Sequence, residues 1–266
     1  PRFIYSNLTA NQFVSGEETK PGLAGAADIS LFYEQDFKTR NIYSSTLRAG
    51  LCISNIGNKM SYSSGTLRRD FLPTNLKLGI GYEIGFDEYN KLTINGEINK
   101  LLVPTNPVYA TDENGRLVYD TIGWSSQGKP IQKPHILYGL DPDVSVAQGM
   151  IQSFYDSPGV GYGRNGANST FLEEMAEINW ALGLEYSYRN LFFVRTGYFH
   201  ENKLKGARQF MTVGVGIKYN IFNIDVSYLF CTNGQQHPLA NTLRFSLSFD
   251  FVSFNRDAIK RQNKLN

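Results

Sequence analysis

Glycines crowd GVGYGRNG at residues 159 to 166, the density of a phosphate-cradling loop. That chemistry needs a Lys-Ser/Thr pair after the glycines and a strand-to-helix setting; neither is present, so the segment reads as a flexible loop. In GIGYEIG (79 to 85) the glycines fall on the polar side of an alternating segment, where small residues admit close neighbours; it is no dinucleotide fingerprint. His135, His200 and His237 lack HExxH spacing and a supporting cysteine pair, which leaves them as surface or loop-packing residues. Cys52 and Cys231 both lie on polar faces; a disulfide between them and two free thiols are both open, with free thiols favoured. Asp141 and Asp143 in LDPDVS, and Glu173, Glu174 and Glu177, are carboxylate groups of the kind that holds Ca²⁺. Neither has the ligand spacing of a known loop, and solvated turns are the expectation. No nucleophile–base pair or metal constellation emerges, so the chain reads as non-enzymatic, without a cofactor or metal.

A second set of charges is spaced differently. Arg195, Lys218 and Arg244 alternate with uncharged neighbours on consecutive C-terminal segments, and Glu185, Asp225 and Asp250 fall on the same faces. They are expected to pair across strands as a salt-bridged lumenal lining that fixes register, in preference to a selectivity filter or substrate site.

The elements that carry these charges repeat with period two. In TNLKLGIGYEIGFD (74 to 87), Leu76, Leu78, Ile80, Tyr82, Ile84 and Phe86 share one face, opposite Asn75, Lys77, Gly79, Gly81, Glu83 and Gly85. The same alternation runs through 174 to 188, with Ile178, Trp180, Leu182, Leu184, Tyr186 and Tyr188 on the apolar side, and through 242 to 251. Weaker versions cover 24 to 35, 44 to 56, 91 to 103, 191 to 200, 209 to 219 and 222 to 231. With a stub at 2 to 8, about ten strands are predicted, most near the ~10 residues that a tilted strand needs to cross a bilayer. Connections alternate too. Those at 87 to 90, 189 to 190 and 220 to 223 are tight, whereas 57 to 73, 104 to 173, 201 to 208 and 232 to 240 are longer. Short turns at one end and long loops at the other are the asymmetry of an outer-membrane barrel, which places the C-terminus in the periplasm. The stretch from 104 to 173 is too long for a structureless loop in a compact domain, so it is expected to be functional or partly ordered, as an extracellular loop or lid.

Composition agrees with this. Across 266 residues, aromatics reach 14% while charged residues reach only 19%, below the roughly 25% of soluble domains. A net charge of +2 forces no nucleic-acid partner. No run of 18 uncharged apolar residues offers a helical membrane span, which leaves strands as the only route across a membrane. The opening PRFIYSNLTA has no basic start followed by an apolar core, so the expectation is a mature, trimmed or partial chain. A soluble up-and-down barrel or sandwich would turn the apolar faces inward instead. Strand length, aromatics near strand ends and a polar face of glycines with isolated charges favour lipid on the apolar side. The expected class is therefore all-β: an antiparallel transmembrane β-barrel over residues 1 to 251, followed by a basic periplasmic tail at 252 to 266.

Specific words carry a resemblance: ISNIGNKMSYS (53 to 63), LPTNLKLGIGYE (72 to 83), INKLLVPTNP (98 to 107) and HPLANTLRFSLSFDF (237 to 251). Together they resemble the PorV family of outer-membrane barrels of the type IX secretion system, within the FadL-like superfamily. That resemblance implies fourteen strands in the whole barrel, so about four strands and any N-terminal plug are absent from this stretch. It further implies a non-catalytic outer-membrane carrier. Such a carrier takes cargo with a C-terminal signal domain from the translocon barrel and delivers it to a surface attachment complex containing the sortase PorU. Long external loops on a lipid-anchored barrel suit that task. The first choices for contacts are Tyr138, Phe154, Tyr155, Tyr162, Arg164 and Phe171 in the long loop, because aromatics and Arg dominate interface energetics. A FadL-like transporter of small hydrophobic molecules is the alternative within the same barrel class.

Overall fold

The computed structural model describes residues 1–7, 13–14, 17–18, 20–39, 42–62, 69–233 and 241–249. In chain order the elements are β1 (Arg2–Ser6), β2 (Phe13–Val14), β3 (Glu17–Glu18), β4 (Gly22–Thr39), β5 (Ile42–Gly57), β6 (Asn75–Gly85) and β7 (Asn90–Leu101). Then come β8 (Val108–Tyr109), β9 (Tyr119–Trp124), β10 (Pro130–Pro134), β11 (Ile136–Tyr138), α1 (Val146–Gln152) and α2 (Thr170–Ala176). The chain continues with β12 (Asn179–Tyr188), β13 (Phe192–His200), β14 (Gln209–Tyr219), β15 (Phe222–Cys231) and β16 (Thr242–Phe249). The class is all-β. Ten strands form one sheet in the order β1-β4-β5-β6-β7-β12-β13-β14-β15-β16. From β7 to β16 each neighbouring pair is antiparallel and in continuous register. Among the described residues nothing pairs β1 with β16, so the sheet is open. One boundary differs from expectation: the alternation assigned from residue 174 starts at Asn179, because Thr170–Ala176 is helix. Asp250 and the tail at 252 to 266 lie outside the described residues.

The chain divides into two compact units. The first comprises Pro1–Ser30, Cys52–Leu76 and Lys100–Ile178. Its apolar centre is small: Ala24, Ala26 and Leu72 are buried, with Ile4 and Met60 packed against them. Gly57 fits here because a side chain would strike the Gly25 carbonyl and the Leu72 methyl. The segment from 104 onward folds into short strands and two capped helices rather than an open loop.

The second unit comprises Leu31–Leu51, Lys77–Asn99 and Asn179–Asn266. Period-two alternation gives its strands two unlike faces. Leu182 (56% exposed), Val194 (57%), Val215 (56%) and Phe245 (67%) belong to rows of large apolar side chains that nothing among the described residues covers. Aromatics bound these rows. Near the tight turns, Tyr89 and Tyr188 lie 6.5 Å apart with the Arg189 guanidinium 4.6 Å from the Tyr89 ring, and Phe222 meets Phe249 edge-on at 5.4 Å. At the other strand ends, Trp180 stacks on His200 at 5.1 Å and lies 5.5 Å from Tyr198, while Tyr228 meets Phe230 at 4.8 Å. The tight turns themselves rely on Asn and Arg at positive φ: Arg189 (57°), Asn190 (52°) and Asn220 (52°). Asp87 closes another by accepting the Tyr89 and Asn90 backbone N–H groups at 2.7 Å.

Candidate functional site

Two polar assemblies stand out, one in each unit. In the first unit, α1 begins at Ser145, whose hydroxyl accepts the Gln148 N–H at 3.3 Å, and α2 begins at Ser169, which accepts Leu172 N–H at 3.4 Å. Helix α2 brings Glu173 and Glu174 inward, and its cap residue Glu177 follows. Lys100, 6% exposed, donates to Glu174 and Glu177 at 2.9 Å each. Glu174 also accepts the Ser157 N–H at 2.9 Å, and Glu177 accepts the hydroxyls of Thr105 (2.9 Å) and Ser157 (3.1 Å). Asp156, fully buried, takes the Thr105 N–H at 3.0 Å and the Gln152 amide at 3.4 Å on Oδ2, while its Oδ1 has no protein partner. Burial pushes the Asp156 carboxyl up to about 6, against the pull of those donors and with the Glu174 and Glu177 charges adding to the rise. The assembly is a buried staple that ties the helices to Lys100 at the end of β7.

This corrects the expectation that Glu173, Glu174 and Glu177 sit in solvated turns: Glu173 (5% exposed) and Glu174 (4%) are buried. Glu173 accepts the Gly159 N–H. Among the described residues, no three His, Cys, Asp or Glu are disposed to hold a metal ion. Asp141 and Asp143, in contrast, do lie in an exposed turn beside Lys133, at 3.0 and 3.7 Å. Lys100, Asp156 and their hydroxyl partners were not anticipated. The available signal was Ser145-Val-Ala-Gln148, a helix-start spacing, and Ser169 four residues before the acidic pair Glu173-Glu174.

The contact candidates of the long segment are distributed over this framework. Tyr138 ends β11; Phe154 and Tyr155 follow α1; Phe171 opens α2; all four are exposed. Phe154 also lies 5.8 Å from the Lys100 ammonium, so its ring helps cover the staple. Tyr162 is half-buried, and the Arg164 side chain lies outside the described ones. The same segment holds a hairpin of β9 and β10, carrying Trp124 at 70% exposed. The sequence reading assigns it to loop; Gln127-Gly128 is the turn signal within it, and Asn114-Gly115 marks the turn that precedes it.

In the second unit the polar face brings Glu185, Arg195 and Asp225 together. Arg195 Nε donates to Glu185 at 2.5 Å on the adjacent strand, and its Nη1 bonds Asp225 two strands away. The side chain can cross β14 because Gly216 stands between: a Cβ there would collide with both Arg195 and Asp225. Arg244 shares the cross-strand row of Arg195, reached through Gly214 and Ser227, and is exposed. Lys218 lies one pair beyond Gly216 on the same face. A second network joins Arg48 to Glu34 at 2.6 Å and to Glu83 at 3.0 Å, with Lys91 at 3.5 Å from Glu83. Beside it a cavity of about 500 Å³ has Gly50, Gly79, Gly81 and Gly183 in its floor and Phe32 and Asn95 in its wall. Cys52 and Cys231 are both free.

No curated protein matches the chain. Residues 1–108 match the family model of the type IX secretion system protein PorV. That span runs from β1 through β7 to the start of β8 and contains three of the four words that carry the resemblance. Over these residues, therefore, the chain is similar to the PorV family, a component of the type IX secretion system.

Proposed function

We propose that this chain is a non-enzymatic outer-membrane carrier of the type IX system. In this reading it binds the C-terminal signal domain of secreted cargo, takes it from the translocon barrel and passes it to the attachment complex with PorU. The observation that carries the membrane half of this reading is the uncovered apolar face of the second unit. Trp180 and Tyr188 are eight residues apart on β12, about 27 Å along the strand, and at the usual tilt their rows bracket a band of about 20 Å, close to the girdle spacing of outer-membrane barrels. Strands of 9 to 11 residues in β12 to β15 have the length that a tilted crossing needs. A patch of that extent exceeds what water-soluble monomers expose. The family match supports the secretion half, and the exposed aromatics of the 104-to-178 segment support a protein partner there.

Removing residues 108 to 170 while the strands remain inserted is expected to abolish co-purification of cargo; undiminished cargo retention would overturn the carrier role. A second reading is favoured by the glycine-floored cavity: a FadL-like passage for small hydrophobic molecules. Filling it with Gly79→Leu would then stop uptake of such molecules while leaving cargo retention intact.

A further inference from the structure

The β9–β10 hairpin has two outer edges, and they differ. Ser125 N–H donates to the Lys129 carbonyl at 2.8 Å at the tip, and His135 N–H to the Val118 carbonyl at 2.8 Å at the base. In an antiparallel ladder, paired and outward-facing positions alternate. The pairs next to those bonds, Trp124 with Pro130 and Tyr119 with Pro134, therefore turn their backbone groups away from the hairpin. Of the three outward positions on β10, Pro130 and Pro134 have no N–H to offer and only Gln132 keeps one. Prolines on an edge are how sheets refuse further strands. On β9 the outward positions Tyr119, Thr121 and Trp124 keep both N–H and C=O. Among the described residues β9 pairs as a strand only with β10, and Tyr119, Thr121, Ile122 and Trp124 are all exposed. The β10 edge keeps one outward N–H, at Gln132, against three on β9, whose edge carries aromatic and aliphatic side chains.

We propose that the outer edge of β9 is a strand-docking site, which receives an extended segment of a partner polypeptide by main-chain pairing, with apolar or aromatic residues at alternate positions meeting Ile122 and Trp124. Only an extended backbone satisfies a row of alternating donors and acceptors, so the edge itself selects the class of occupant. The proposal deepens the reading that the 104-to-178 segment holds a protein, by naming the segment and the mode.

The test selects a phage-displayed random decapeptide library on the full-length protein in nanodiscs, then compares Thr121→Pro with Gln132→Pro. Both substitutions remove an outward N–H from the same hairpin, one on each edge, and Thr121→Ala keeps the N–H while removing the side chain. Selected peptides are expected to carry alternating β-branched or aromatic residues and to slow amide exchange at Tyr119, Thr121 and Trp124. Thr121→Pro is expected to weaken them by about tenfold or more, with Gln132→Pro and Thr121→Ala within about twofold of the parent chain. Failure to enrich any peptide, equal effects of the two prolines, or unchanged binding by Thr121→Pro would each overturn the site. A dimer of the protein that Thr121→Pro dissolves would overturn the partner and assign the edge to a second copy. Loss of cargo on deleting 108 to 170 alongside retention in Thr121→Pro would defeat strand docking alone; retention in both would defeat the carrier reading too.

Discussion

The two units handle charge in opposite ways. In the first, Lys100 and the carboxylates around it are sealed from solvent, with more acid than base. In the second, Arg195 holds Glu185 and Asp225 on an open polar face, with its own side chain 37% exposed, while the opposite face shows bare Leu, Val and Phe. Burial turns a polar cluster into a structural lock, because each member removed strands the others without water. Exposure leaves a similar cluster as a guide to register, weakly coupled to stability.

The contrast is sharpest at Lys100. Lys100→Ala leaves Glu174 and Glu177 buried and unpaired, at an expected cost of about 3–5 kcal/mol, read as early loss of exchange protection in α2. The apolar face comes next. Leu184→Arg, midway between Trp180 and Tyr188, is expected to cost about 2–4 kcal/mol of folding stability in a bilayer, measured by denaturant titration in vesicles. An effect within about 0.5 kcal/mol there would mean the face meets no hydrocarbon.

Asp156 offers a test by titration. Its native carboxyl holds a proton up to about pH 6, whereas in the unfolded chain it releases it near the ordinary carboxylate value. Between those limits the folded state binds more protons, so stability from this group is greatest at the acid end and falls as pH rises through 6. The first unit should therefore gain on the order of 1 kcal/mol between pH 7 and pH 5, seen as slower α2 exchange after correction for intrinsic rates. Asp156→Asn should remove that dependence. The smallest effect belongs to Arg195→Ala, about 1 kcal/mol after allowance for solvent, with strand register by cross-strand NMR contacts as the readout.

Strands β13 to β16 were legible to within a residue or two because two unlike environments enforce period two along them: the limits of β14 and β15 coincide with those expected. Helix α2 was hidden, since seven residues make too few turns to display a helical period and its outward Phe171, Leu172 and Met175 mimic a continuing apolar strand face. The common face of Glu185, Arg195 and Asp225 could be read from parity, but the reach of Arg195 over Gly216 depends on which strands neighbour each other. The Lys100 staple joins residues 74 and 77 positions apart, a pairing that no local pattern encodes.

The chain has two tryptophans, and the division of the fold gives one to each unit: Trp124 near the tip of the hairpin and Trp180 stacked on His200. Each indole is thus a built-in optical reporter for its own half. Emission from Trp124 tracks peptide arriving at the hairpin, and emission from Trp180 tracks the packing of the ring stacked on it. Single replacements by Phe separate the two signals, so ligand capture and the state of the strand ends are both readable by fluorescence without attaching a dye.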